Sequence, residues 1–124
     1  MSPAAWTAFA VAGAAGACGR YVLDGYIADR TDGVFPWGTF LINASGSLLL
    51  GLLTGLGLYH GLATSTRLIL GTGFCGAFTT FSTFTFETVR LAEEGAAREA
   101  VRNAVGTLVT CAGAAAIGLA MTAW

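Results

Sequence analysis

At 124 residues, 55% of them hydrophobic and 10% charged, the chain has room for one domain and too little charge to cover a water-facing surface. A mean hydropathy of +0.70 points to lipid as the solvent. A net charge of -1, with every basic residue an arginine and none of them in a run, removes any electrostatic case for nucleic acid.

Charge is absent over long stretches. Residues 1–26 carry only Arg20 and Asp24, and from Val34 onward the next charged side chain is Arg67. A membrane-crossing helix needs about 20 mainly apolar residues. Four segments meet that length, at residues 4–27, 37–59, 68–91 and 101–124. The expected fold class is an all-α membrane protein, a single domain of four transmembrane helices. Short polar turns separate the segments: Asp29, Arg30 and Asp32 with Gly33 before Pro36, then residues 60–65, then residues 93–99. Trp6, Trp37, Tyr59 and Trp124 fall near the segment ends, where an interfacial aromatic belt places them.

Four crossings put both termini on one side. The first and third loops hold Arg30, Arg90, Arg98 and Arg102 against Arg67 in the second, so the positive-inside rule read literally places the termini outside. Cys18, Cys75 and Cys111 are odd in number and lie in apolar runs, which reads as reduced, packed thiols. Residues 15–18 loosely resemble a lipoprotein cleavage site, but no basic segment precedes them, so the first stretch reads as a helix.

The informative residues are those that are costly to bury in lipid, because polar groups there must find partners within protein. In the second segment Thr39, Asn43 and Ser47 recur every four residues, which sets a hydroxyl, an amide and a hydroxyl on one helical face. Such a stripe serves either as a hydrogen-bonded seam or as a pore lining, and Gly51 with Gly55 gives the spacing that lets helices approach closely. In the fourth segment Asn103, Thr107 and Cys111 share a face in the same way.

The third segment combines Gly71, Gly73 and Gly76 with a run of threonine, serine and phenylalanine from Phe78 to Phe86. Glycine and β-branched threonine both lower helix propensity, so the run predicts a break near mid-helix. Carbonyls freed there must be met by a cation, a hydroxyl or water. Phe81 and Phe84 are three apart and fall on nearly one face of a helix that resumes after the break. The ring edge is the positive part of an aromatic side chain. Two such edges beside a hydroxyl track and the Asn43 amide suit a path for a small, hard anion, against the plainer alternative that each ring is packed or lipid-facing. Arg20 reads either as a partner of Asp24 one turn on or as a positive charge drawing anions to a vestibule, and Glu87 as a partner for an arginine or a cap on the track.

Gly71, Gly73 and Gly76 also match the dinucleotide-binding fingerprint by spacing. That motif requires a soluble strand, helix and strand, whereas spanning-length apolar segments surround these glycines.

The phrases Gly19-Arg20-Tyr21, then Pro36-Trp37-Gly38-Thr39-Phe40 with Asn43 and Gly46, then residues 76–84 with Glu87, resemble the small fluoride channel family of the CrcB/Fluc type across the first three helices. The resemblance implies a passive, fluoride-selective channel of the cell inner membrane, not an enzyme, built as an antiparallel, dual-topology dimer with two pores. It implies a sodium ion at the dimer centre held by the Gly76 and Thr79 carbonyls. Phe81 and Phe84 would be the paired pore rings, Asn43 a fluoride donor, Ser82 and Thr83 part of the hydroxyl track, and Arg20 a vestibule residue, with Thr39 of the second-segment stripe counted among the pore candidates. The family's fourth helix often carries a tyrosine followed by hydroxyls at four-residue steps. Asn103, Thr107 and Cys111 stand there instead. The uneven arginine distribution leaves either a second copy or a paralogous subunit as the partner.

Two rivals share the four-helix plan. A small proton-coupled multidrug transporter needs a carboxylate deep in its first helix, and only Asp24, near the helix end, is offered. A non-transporting assembly protein would use the polar stripes only as helix glue.

Overall fold

The computed structural model describes all of Met1–Trp124 and is helical throughout, with no strand. Ser2 caps α1 (Pro3–Ala28) by accepting the Ala5 N–H, and Pro3 supplies a preset first turn. Pro36 precedes α2 (Trp37–Tyr59), which runs to His60 and a left-handed Gly61 at φ 69°. The third long helical stretch is composite. Helical residues 64–78, here α3, comprise an α turn at Thr64–Arg67, a π-helical stretch at Leu68–Cys75 and a last turn at Gly76–Phe78. After an interruption the chain resumes as α4 (Ser82–Glu93), turns through Gly95 at φ 82°, and closes with α5 (Ala97–Met121).

Three helical stretches are long and apolar enough to cross a membrane, Trp37–Tyr59, Thr64–Glu93 and Ala97–Met121. The 26-residue α1 is long enough but falls outside that set, because alanine and glycine replace leucine and Arg20 interrupts it. Its length still matches the bilayer at 1.5 Å per residue. The last helix starts at Ala97, ahead of its apolar run, because Gly95 ends α4 there and Arg98, Glu99 and Arg102 occupy the first exposed turns of α5.

Glycine sets the packing. A Cβ on Gly51 would meet the Ala115 carbonyl, one on Gly118 the Leu48 carbonyl, and one on Gly55 the Thr122 side chain. The Gly51/Gly55 spacing therefore brings the α2 backbone directly against α5, as small residues permit in lipid. A Cβ on Gly16 would strike the Phe74 carbonyl, and one on Gly73 would sit 3.1 Å from the Phe9 carbonyl, so α1 rests on the π-helical stretch. At the far end His60 Nε2–H donates to the Thr122 carbonyl at 2.8 Å, and the His60 and Trp124 rings lie 4.6 Å apart.

Only 19 of 124 residues are buried, whereas Val11, Leu50, Leu108 and Ile117 are exposed, so most apolar side chains face outward. That inversion is expected of helices solvated by lipid. All three cysteines are free; Cys75 is buried, but Cys18 lies exposed on α1 and is not packed.

Replacing Gly51 with valine should cost about 1–3 kcal/mol through overpacking. Gly113→Val serves as its control, because a Cβ at Gly113 meets nothing within 4 Å. Chemical unfolding in detergent micelles should destabilise the first variant alone.

Candidate functional site: the interrupted third crossing

The interruption begins where Thr79 turns extended, at φ -74° and ψ 159°, after its amide and hydroxyl have both donated to the Cys75 carbonyl at 2.9 and 2.8 Å. The next residue then loses both helical partners. Its amide donates to Asn43 Oδ1 at 2.8 Å, and its carbonyl accepts from Asn43 Nδ2 at 2.9 Å. The Asn43 amide thus pairs with Thr80 as a second strand would, and the two bonds fix which end of the amide is oxygen. The Thr80 hydroxyl accepts the Thr83 amide at 3.2 Å and donates to the Thr83 hydroxyl at 3.0 Å, so it caps the start of α4. A Cβ on Gly46 would collide with the Thr79 methyl, so glycine on α2 is what lets the interruption lie against that helix.

Two cavities flank the interruption. The larger, about 480 Å³, is bounded by Asn43 and Ser47 of α2, Cys75 of α3, Phe81 and Phe84, and Thr107 of α5. The smaller, about 240 Å³, holds Arg20, Asp24, Thr39 and Thr83. Thr80 lines both and stands as the partition between them.

The two rings come together as the three-residue spacing predicts, with centroids 5.9 Å apart and planes tilted by 43°. Phe81 is 77% exposed in the single chain, so its outer face awaits lipid or a neighbour. Arg20 and Asp24 form no ion pair. The guanidinium reaches the Thr79 carbonyl at 3.4 Å, and the Asp24 carboxyl sits against Gly38.

The α2 stripe divides between its two readings. Thr39 is buried and donates to Glu87 Oε1 at 3.1 Å, Asn43 is buried and holds Thr80, and Ser47 faces the larger cavity. Glu87 Oε2 is buried without a partner. On the last helix Asn103, fully buried, donates to the Thr88 hydroxyl at 2.9 Å and accepts from Thr107 at 3.2 Å. Thr107 and Cys111 both reach the larger cavity, so α5 contributes a short run of polar side chains beside it. Among the remaining candidates Ser82 is exposed, Thr83 half-buried, Gly76 exposed and Thr79 half-buried.

Sequence reasoning missed Thr80 and Thr88 as organising residues. Thr88 was discernible as the continuation of the Phe84 face one turn on. Thr80 was not, because its importance comes from losing helical partners.

The buried polar groups converging on a broken helix, inside a chain with three helical stretches long and apolar enough to span a bilayer and many apolar side chains facing outward, define a small helical membrane protein. The match of residues 7–119 to the model of the CrcB-like protein, Camphor Resistance (CrcB), family makes the assignment specific: the chain belongs to that family. It is 49% identical over 119 residues to fluoride-specific ion channel FluC 1 of Leifsonia xyli, covering 96% of this chain and 87% of the relative. It is 50% identical over 110 residues to FluC 1 of Streptomyces avermitilis, covering 88% and 89%, and 45% identical over 121 residues to FluC 1 of Frankia casuarinae, covering 94% of each.

Asn103→Ala should remove the bonds to Thr88 and Thr107 and cost about 1–3 kcal/mol, since buried hydroxyls lose a partner. Thermal unfolding in detergent would register the loss, and an unchanged midpoint would show the track to be dispensable for the fold.

Proposed function

We propose that the chain is a fluoride-selective channel that lets fluoride leave the cell passively, with the ion crossing at the interruption between α3 and α4. The reading is carried by one observation: Thr80 lines both cavities, and the groups beside it are hydrogen-bond donors and the rings of Phe81 and Phe84. Asn43 has two amide hydrogens and spends one on Thr80. The Thr83 hydroxyl accepts from Thr80 and keeps its own hydrogen. These donors, with Ser82 and the edges of Phe81 and Phe84, substitute for the water around a small, strongly hydrated anion. Arg20 in the smaller cavity attracts anions to its mouth. Family membership and the named channels among the relatives support this reading over a drug transporter or an assembly protein. Conduction makes and breaks no covalent bond, so the chain is not an enzyme.

Three features extend it. First, α1 also crosses the inner cell membrane, which brings the crossings to four, and is held in the bilayer by its contact with α3. Second, an antiparallel copy or a paralogous subunit covers the exposed face of Phe81 and closes the larger cavity. Third, sodium binds at the interruption. The carbonyls of Gly76, Ala77 and Phe78 accept no backbone N–H, because the helix has ended and Thr80 N–H goes to Asn43, and hard cations favour such oxygens. Gly76 fits that role. The Thr79 carbonyl offers its second lone pair only, since Arg20 occupies the other. When bound, sodium would supply positive charge and tie together carbonyls that face one another across the dimer.

Liposomes carrying purified protein should release fluoride and retain chloride, read with ion-selective electrodes; equal release of both would defeat the selectivity. Phe81→Ile and Phe84→Ile should each slow fluoride release by about tenfold or more, roughly 1.4 kcal/mol of added barrier, with the dimer intact by crosslinking. Exchanging sodium for a bulky organic cation should slow release and lower the unfolding midpoint, and no change in either would remove sodium from the site.

A further inference from the structure

Asn43 carries more than an ion-binding hydrogen. It is the one side chain whose donor and acceptor both close on the interruption, on a residue that lines both cavities. Thr80 is 8% exposed and Asn43 8% exposed, so neither bond has water as a ready substitute. Without Asn43 the Thr80 amide and carbonyl would be two unpaired backbone groups at membrane depth, and the local chain would have to rotate to satisfy them. Rotation at Thr80 would also swing its hydroxyl away from Thr83, uncapping α4 and moving Phe81 and Phe84 with the first turn of that helix.

We propose that Asn43 is a positioning residue for conduction: through its paired bonds to Thr80 it holds the partition between the cavities in register whether or not an ion is present. The inference rests on the fluoride-channel reading for its consequence, but the clamp itself is a property of the empty protein. Recruitment of Asn43 by the ion alone would leave Thr80 free until fluoride arrives, whereas the clamp protects the Thr80 amide in its absence.

The two are separated by chemistry at position 43. N43A removes the clamp and the donor together. N43D, when ionised, sets a carboxylate against the Thr80 carbonyl and breaks one bond. When protonated it restores both, its carbonyl accepting from the Thr80 amide and its hydroxyl donating to the Thr80 carbonyl, but it has no second hydrogen for an ion. The charged and titratable groups nearby, Arg20 on the Thr79 carbonyl, Asp24 beside Gly38, and Glu87 bonded to Thr39 one turn before Asn43, are the same in the variants and the wild type. The wild-type pH profile therefore serves as the baseline for both variants.

Hydrogen exchange of the Thr80 amide is followed by NMR in fluoride-free micelles for wild type, N43A and N43D, alongside fluoride release from liposomes between acid and neutral pH, with protein-free vesicles correcting for passage of the neutral acid. The clamp predicts exchange at least about tenfold faster in N43A than in wild type. It also predicts that N43D regains Thr80 protection as pH falls, with fluoride release rising above that of N43A but short of wild type, because the second amide hydrogen is still missing. Unchanged Thr80 exchange in fluoride-free N43A overturns it, as does N43D that regains protection while its release stays at the N43A level. Absence of fluoride release from wild type would instead sink the channel reading and leave the exchange result to stand on its own.

Discussion

A helix interrupted inside a helical bundle frees backbone amides and carbonyls where burial leaves few partners, and this chain spends its polar side chains on that problem. Thr79 folds its hydroxyl back on Cys75, Thr80 caps α4, Arg20 reaches the Thr79 carbonyl, and Asn43 supplies the pair of bonds that a missing helical turn would have made. The interruption is thereby stable enough to exist and still open on both sides. A continuous helix there would satisfy the same groups without help, but it would present neither the partition nor the two cavities.

Small residues make the arrangement geometrically possible. Gly46 lets the interruption lie on α2, Gly16 and Gly73 let α1 lie on the π-helical stretch, and Gly51 with Gly118 draws α2 against α5. The wide π turn and the glycines are connected: where the helix is under-wound by nearly an extra residue per turn, its backbone bulges toward its neighbours and glycine leaves room. Close packing on three sides leaves the fourth side, that of Phe81 and Leu108, exposed. Hydroxyls and phenylalanine rings beside the interruption are consistent with a family whose relatives are named fluoride-specific ion channels, since fluoride holds its water tightly and few donor sets can replace it.

The polar residues divide by role in a way that residue type does not disclose. Thr39, Asn43 and Ser47 share a helical face by spacing, yet the first holds Glu87, the second holds Thr80 and the third faces open space. Arg20 stands one turn from Asp24 but bonds to a carbonyl 59 positions away. On the last helix Asn103 was legible as a buried polar group, but its bond to Thr88 was not, because that depends on how α4 and α5 cross.

Sequence alone determined the solvent, the helical class, the interruption of the third crossing and the shared face of Phe81 and Phe84. Each of these follows from local quantities: hydropathy over about twenty residues, the low helix propensity of glycine and threonine, and a period of 3.6. Tertiary structure decided which donors are consumed by the fold and which remain for an ion. Those choices join residues such as Asn43 and Thr80, 37 positions apart, or Thr39 and Glu87, 48 apart, whose meeting is set by the approach of helices. A hydrogen bond forms only at a particular separation and angle, and no periodicity along one helix fixes the position of the next.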